Sequence, residues 1–344
     1  MSQHDAYAQA GVDIAAGQRA TEMMKAAVQA TYTPEVLAGL GSFGGLYDGA
    51  AIKSMAGPVL VASTDGVGTK TKVAAKLDRW DTIGQDLVNH CVNDILVQGA
   101  RPLFFLDYVA SSKLKPEQIA SIVGGVATAC QSVGCVLLGG ETAEMPGVYE
   151  PGEIDLVGTV VGVVERDHLI DGSAIEARDV ILGLLSTGLH TNGYSLARKV
   201  LGELDWEAHQ TELDGSIGEA LLAVHRSYLE PVTRLQQAGV GIRGLAHITG
   251  GGVIDNLPRI LPDGLGATIK RGTWPEPPIF ELIRQQGDIP AAEMFHAFNM
   301  GLGMLVVVSP DSVAVAQAAL EDAVFVVGQI KTDVEGAAGP VEIV

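Results

Sequence analysis

The feature that most narrows what this chain can fold into is an alternation, kept through both halves, of short β-branched apolar runs with longer stretches of helical periodicity. Residues 58–63 (PVLVAS), 103–110 (LFFLDYVA), 135–138 (CVLL), 154–164 (IDLVGTVVGVV), 180–185 (VILGLL) and 304–309 (MLVVVS) have the length and composition of strands. Between them, 16–30, 81–99, 116–133, a stretch ending at Val200 and a stretch around 217–238 are predicted as helices. In 81–99 (DTIGQDLVNHCVNDILVQG) the apolar residues Ile83, Leu87, Val88, Cys91, Val92, Ile95 and Leu96 recur at i, i+3, i+4, as one buried helix face requires. Interleaved strands and helices predict layered α/β domains. At 344 residues the chain has room for two, and the polar stretches ERDH and DGS place the junction near 167–173, giving domains 1–168 and 169–344.

Charge and cysteine usage bound the partners. A net charge of −19 repels DNA, RNA and anionic membranes at long range. The N-terminal residues carry neither the basic region nor the apolar core of a secretory signal, and no run approaches the roughly 20 apolar residues that cross a bilayer. Cys91, Cys130 and Cys135 lack C-x-x-C or Cys/His metal spacing, and read as reduced, buried thiols. The expectation is a cytoplasmic enzyme with a small-molecule substrate and no nucleic-acid or membrane partner.

Chemistry concentrates where strands end. The run at 58–63 delivers STDGVGTK, in which Gly66 and Gly68 let backbone N–H groups converge on an anion and Thr64, Thr69 and Lys70 add donors. Asp65 is unsuited to touching phosphate directly, but a divalent cation takes carboxylate and phosphate oxygens together. Taken alone, the turn reads equally well as an ordinary hairpin. The helix at 81–99 tilts the balance: Asp86, His90 and Asp94 follow at i, i+4, i+8 with Asn89 and Asn93 alongside, a polar stripe of poor helix formers without lysine or glutamate. His90 alone reads as a hydrogen-bonded histidine and is left out of the expected site.

GGETAEMPG, after CVLL, reads as a second sharp glycine turn, with Gly139 and Gly140 at its start and Glu141 next; Asp65, Asp94 and Glu141 together would hold magnesium against a triphosphate. GLGSFG at 39–44 satisfies G-x-G-x-x-G, but it opens onto Gly45 and LYDG rather than a helix, so a mobile loop covering a nucleotide is expected there, not a dinucleotide site. The second half offers STGLHTNGYS, with Ser186, Thr187, His190, Thr191 and Asn192 ahead of a helix, and TGGGVIDN, with Gly250, Gly251 and Gly252 aimed at a helix start and Asn256 behind them. The first could be plain N-capping; the second suits a phosphate monoester.

AGVDIAAG, GSFGGLYD, STDGVGTK, CVNDILVQGARPLFFLDY, GGETAEMPG, HTNGYSLARK, TGGGVIDNLPR and FNMGLGM together resemble the phosphoribosylformylglycinamidine cyclo-ligase family nearly end to end. Shorter pieces, T-D-G and G-G-E-T, are shared with thiamine-monophosphate kinases and selenophosphate synthetases. The resemblance implies an N-terminal α/β domain whose strands form a β-barrel shared across a homodimer, a C-terminal α/β domain, and ATP in the cleft between domains. It implies conversion of formylglycinamidine ribonucleotide and ATP to aminoimidazole ribonucleotide, ADP and phosphate, with Mg2+ on Asp65, Asp94 and Glu141. ATP contacts are implied at Gly44, Gly45, Thr64, Asp65, Gly66, Gly68, Thr69, Lys70, Asn93, Gly139 and Gly140, with Asp13 and Lys25 near the nucleotide. The reaction so implied assigns Lys70 and Asp94 to phosphoryl transfer, and His190 and Asn192 to orienting the amide or moving a proton. Ser186, Thr191, Gly250, Gly251, Gly252 and Asn256 would complete the substrate site, with the ribose 5'-phosphate on the three glycines.

Overall fold

The computed structural model describes residues 13–321, 323–332 and 340–344. The start of AGVDIAAG therefore lies outside the described residues. Contacts divide the chain into two compact units, Met1–Ile95 with Ala100–Asp167, and Leu96–Gly99 with His168–Val344.

The first unit runs α1 (Ile14–Gln29), β1 (Val36–Ala38), β2 (Leu46–Tyr47), β3 (Pro58–Gly66), α2 (Lys70–Leu77), α3 (Asp81–Leu96), β4 (Arg101–Ser111), α4 (Pro116–Ser132), β5 (Val136–Glu144) and β6 (Ile154–Glu165). Its main sheet has the order β3-β6-β4-β5, with antiparallel β3/β6 and β6/β4 pairs and a parallel β4/β5 pair. Such a parallel neighbour needs a crossover, which α4 supplies. The apolar face read from 81–99 is real, but the opposite face is not solvated. Asp86 and Asn93 have no exposure at all, and Asn89 and His90 very little. Glycines explain how α3 sits so deep. A side chain at Gly158 would strike Phe105 and Leu87, and one at Gly84 or Gly125 would strike backbone across the α3–α4 contact. The helix backbones touch there directly.

One expectation changes. GGETAE is not a turn: β5 continues straight through it to Glu144. Gly140 is needed because the Asp107 side chain and carbonyl fill the place where a Cβ would stand, so close approach, not chain reversal, explains the glycine. The other face of the sheet is open. Leu60 is 60% exposed and Leu106 37%, and Thr64 Oγ1 meets Thr159 Oγ1 across the β3/β6 pair at 2.8 Å.

The second unit holds β7 (Val180–Leu185), α5 (Tyr194–Leu201), β8 (His209–Gln210), β9 (Gly215–Ser216), α6 (Ile217–Leu222), α7 (Leu229–Gln237), β10 (Ile242–His247), α8 (Gly252–Asn256), β11 (Leu265–Ile269), α9 (Pro278–Gly287), α10 (Ala291–Ala297), β12 (Leu302–Val308), α11 (Val313–Ala319), β13 (Phe325–Thr332) and β14 (Val341–Ile343). Six strands pair in the order β10-β12-β7-β13-β11-β14. Every residue of β12 is buried, as its unbroken apolar run requires of an interior strand. Leu182, Leu184, Tyr228, Val232, Leu235, Leu245, Met304 and Val306 form the core on one side.

Here too the structure corrects the reading. The helix expected over 217–238 is two helices, because 223–228 leaves the helical path so that His225 and Tyr228 turn inward, both without exposure. The Tyr228 hydroxyl then donates to the Leu185 carbonyl at 2.9 Å. The run at 304–309 is not the last strand, since β13 and β14 follow it. β10 and β11, short and interrupted by polar residues, carried no alternation strong enough to read.

Candidate functional site

In the first unit the polar cluster begins where β3 ends. Period-two alternation sends Ser63 and Asp65 to the face packed on α3 and Thr64 to the open face. Asp65 Oδ2 lies 2.6 Å from His90 Nε2, and His90 lies 3.8 Å from Asp94 one helical turn on. Ser63 donates to Asp94 Oδ2 at 3.2 Å. One ligand atom each from Asp65, His90 and Asp94 fall within 4.8 Å of one another. His90 is thus a member of this cluster, from which the sequence reading leaves it out. Its i, i+4 spacing to Asp86 and Asp94 was the available signal, and only the register of β3 against α3 supplies the third partner. Burial opposes charge on this imidazole, but the hydrogen bond to Asp65 and the charges of Asp94, Asp65 and Asp86 outweigh it and raise its pKa.

Lys70 is not where the sequence suggested. Its Nζ forms a 2.7 Å ion pair with Asp86 Oδ2, and neither side chain has any exposure. Burial lowers the lysine pKa and Asp86 pulls it back. Because α2 starts at Lys70, the side chain points under the turn and anchors it, while Gly68 (φ +61°) and Thr69 stay exposed on top. Asn93 is likewise fully buried, so both residues stand in a layer behind the turn in this structure.

Gly139, Gly140, Glu141 and Thr142 line a cavity of about 340 Å³ with Leu40, Gly41, Asp107 and the Gly17–Thr21 side of α1. Residues 41–46, including Gly44 and Gly45, are exposed, and Gly45 packs against Leu138. Burial pushes the Asp107 carboxyl up to about 7. Glu141 is exposed and is not brought to Asp65 and Asp94. The sheet register sets Asp65, Gly158, Asp107 and Gly140 in one row and Gly66, Val157, Tyr108 and Glu141 in the next, with β3 and β5 as opposite edges. Three strand spacings separate the edges, roughly 14 Å. Asp13 caps α1 by accepting from Ala16 N–H, and Lys25 is exposed on that helix.

In the second unit the glycine turns and the HTNG loop come together. Gly193 (φ +79°) lies against Phe298, and Gly252 (φ +60°) has no room for a Cβ beside the Phe295 carbonyl. A Cβ on Gly250 would come 3.2 Å from Asn192 Oδ1, so the Asn192 carboxamide sits against the exposed first glycine. Most of the other expected substrate groups are committed to the loops themselves. Ser186 Oγ donates to the Gly188 carbonyl and to Asn299 Oδ1, both at 3.0 Å. Asn256 Nδ2 donates to the carbonyls of Gly250 and Gly252 at 3.0 and 2.8 Å. Thr191 contacts His225, and buried His190 (φ +61°) accepts from the Thr187 N–H at Nε2. Ser186, Asn256, Thr191 and His190 therefore hold the loop shape, and Asn192, Gly250 and Gly251 form its surface.

Two family models cover most of the chain: AIR synthase related protein, N-terminal domain, over residues 47–164, and AIR synthase related protein, C-terminal domain, over 176–338. The two-unit α/β architecture is also that of the hydrogenase maturation protein HypE solved in complex with ATP, at a TM-score of 0.66 and 17% identity over 94% of this chain and 90% of that one. At that identity the likeness concerns the fold alone. Among sequences, a phosphoribosylformylglycinamidine cyclo-ligase of Desulfitobacterium hafniense (strain DSM 10664 / DCB-2) is 52% identical over 333 residues, 96% of this chain and 98% of its own length. One of Geobacillus kaustophilus (strain HTA426) is 53% identical over 312 residues, 90% of each. The chain belongs to the phosphoribosylformylglycinamidine cyclo-ligase family.

Proposed function

We infer that this chain is an ATP-dependent ligase that closes the imidazole ring of aminoimidazole ribonucleotide from formylglycinamidine ribonucleotide, releasing ADP and phosphate, a step of purine biosynthesis. The observation that carries this reading is the presence of a carboxylate cluster beside an exposed glycine turn, suited to a metal-bound triphosphate, and of a separate amide-and-glycine surface, in a chain of this family. The chemistry asks for both. An amide oxygen is a poor leaving group, so the γ-phosphoryl is transferred to the formyl oxygen, giving an iminophosphate and ADP. The amidine nitrogen attacks that carbon, the C–O bond breaks, phosphate departs with the oxygen, and a proton is lost from nitrogen. Because the attack is intramolecular, effective molarities of about 10^5–10^8 M are within reach of a protein that only folds the substrate correctly.

Asp65 and Asp94 fit magnesium: both are carboxylates at the rim, 43% and 28% exposed, while the neighbouring His90 ring is nearly buried and donates to Asp65. A magnesium ion there supplies charge neutralisation for the transferring phosphoryl group. Gly68 and Thr69, exposed on the turn that follows Asp65, would bind phosphate oxygens, with Gly66 giving the turn its backbone freedom and Lys70 and Asp86 fixing it from beneath. Asn192 would orient the formyl amide, and Gly250 and Gly251 the ribose 5'-phosphate.

Glu141 joins this site in a homodimer. The sheet of the first unit has an open apolar face and, among the described residues, ends at two edge strands, β3 carrying Asp65 and β5 carrying Glu141. In a barrel closed from two copies about a twofold along its axis, each β5 edge would meet the other copy's β3 edge, bringing Glu141 of one copy toward Asp65 and Asp94 of the other. The cytoplasm is the compartment that suits its reduced thiols and substrates. The decisive assay is ADP release that depends on formylglycinamidine ribonucleotide and yields the aminoimidazole product; ATP turnover indifferent to that substrate would refute the reading. For the dimer, L106E should give a monomer by light scattering. D94N and E141Q proteins, each inactive, should regain activity when mixed.

A further inference from the structure

We propose that His225 and His247 are positioning residues that lock the loop carrying Asn192 to the glycine turn at 250–252, so that the two present one surface to substrate. This rests on the reading that these loops bind formylglycinamidine ribonucleotide.

The His225 and His247 Nε2 atoms lie 3.1 Å apart, both rings buried. Two imidazole nitrogens at that separation share one proton, one ring donating and the other accepting. On its other side, His225 Nδ1 is 3.3 Å from the Thr191 hydroxyl. Its ring also stacks on His190, centroids 4.0 Å apart and planes 21° from parallel. The residue after it, Arg226, directs its N–H at His190 Nε2 at 3.5 Å, alongside the closer Thr187 N–H. With backbone donors on Nε2, that nitrogen of His190 serves as acceptor. The break between α6 and α7 thus grips the HTNG loop by stacking and by hydrogen bonding.

The other end of the chain of contacts reaches the glycine turn. His247 is the last residue of β10, and the next N–H, of Ile248, donates to the Gly303 carbonyl at 2.9 Å, fixing the path into Thr249 and Gly250. Thr191, His225 and His247 therefore form a buried bridge beneath the place where Asn192 meets Gly250. A hydroxyl and two imidazoles can each donate or accept, so the bridge is satisfied in either proton direction and needs no ion to complete it. Loop surfaces are otherwise the least rigid parts of a domain, and a misplacement of about 1 Å is enough to spoil orientation of a reacting amide.

The test uses the full-length protein, with calorimetric binding of formylglycinamidine ribonucleotide and steady-state kinetics for both substrates. H225L should raise the dissociation constant and KM for that substrate about tenfold, leaving KM for ATP close to wild type, with a lower thermal midpoint because the buried Thr191 and His247 each lose a partner. H225Q, whose carboxamide reaches the Nε2 position, should recover most of the loss, and H247L should match H225L with the double variant no worse than either. Unchanged binding in H225L and H247L, or equal losses for both substrates, would overturn the proposal. So would a visible cobalt(II) absorption band lost in H225L, which would make the three histidines a metal site. Should H225L fail to fold, H247Q is read in its place against the same outcomes. Wild-type protein that does not bind the ribonucleotide at all would refute the functional reading instead.

Discussion

The two ends of the proposed chemistry are built on opposite principles. In the first unit, charged side chains stand on a strand end and a buried helix: Asp65, His90 and Asp94 at the rim, Lys70 and Asp86 sealed behind them. In the second, the surface around Asn192 and Gly250 is built mainly by loop groups that bond to one another and to backbone, with the exposed Asp255 carboxylate lying against Gly251. Phosphoryl transfer moves charge and needs opposing charge fixed on a stiff frame, since reorganising it would raise the barrier. Folding an amide against an amidine moves little charge and needs shape. Loops can supply that when their own polar side chains immobilise them.

Removing charge from the first site is the strongest way to break the contrast. D94N keeps the shape of the side chain, so kcat/KM should fall about 10^3-fold, worth about 4 kcal/mol, with an unchanged urea midpoint. Near-normal turnover would take Asp94 out of the metal site. Next in size is K70M, which strands the Asp86 carboxylate in the interior. A loss of about 3–5 kcal/mol in the urea unfolding of the first unit is expected, most of it recovered in K70M/D86L. A K70M protein of normal stability would mean that the pair is not the anchor of the turn.

G252A tests the second site. The added carbon meets the Phe295 carbonyl and forces alanine to a positive φ, so a cost of about 1–3 kcal/mol is expected. KM for the ribonucleotide should rise while KM for ATP holds. The smallest effect concerns Asp107, whose folded-state pKa is raised by burial from 3.8 to about 7. A raised carboxyl favours the fold fully below its unfolded pKa and loses that contribution as pH climbs toward 7. D107N should therefore stabilise the protein at pH 8 by about 1 kcal/mol, a figure kept small because the side chain is half-buried, and the gain should vanish near pH 4. A constant difference across that range would show that Asp107 is ionised throughout.

Legibility followed the range of the interaction involved. Helix 81–99 and strands 58–63, 103–110 and 154–164 were readable because period and β-branching are local. So were Asp65 and Asp94, since a carboxylate beside a glycine turn and one on an unusual helix stripe are themselves local anomalies. His90 was set aside because its decisive partner, Asp65, lies 25 positions earlier in another element. Lys70 shows the matching limit: its neighbours in the sequence suggest phosphate, and its neighbour in space is Asp86. His225 carried no local signal whatever, sitting in what the helical periodicity made one continuous helix.

By itself the sequence determined the number of domains, the class of each, and the residue types that gather at strand ends, because these depend on period, propensity and backbone freedom within about a dozen positions. Only the tertiary structure decided which polar groups face one another: that Lys70 is sealed against Asp86, that Glu141 stands on the far edge from Asp65, and that two histidines join two loops. Those pairings depend on strand order and register. A strand's register fixes which face each side chain takes, and no run of residues states it in advance.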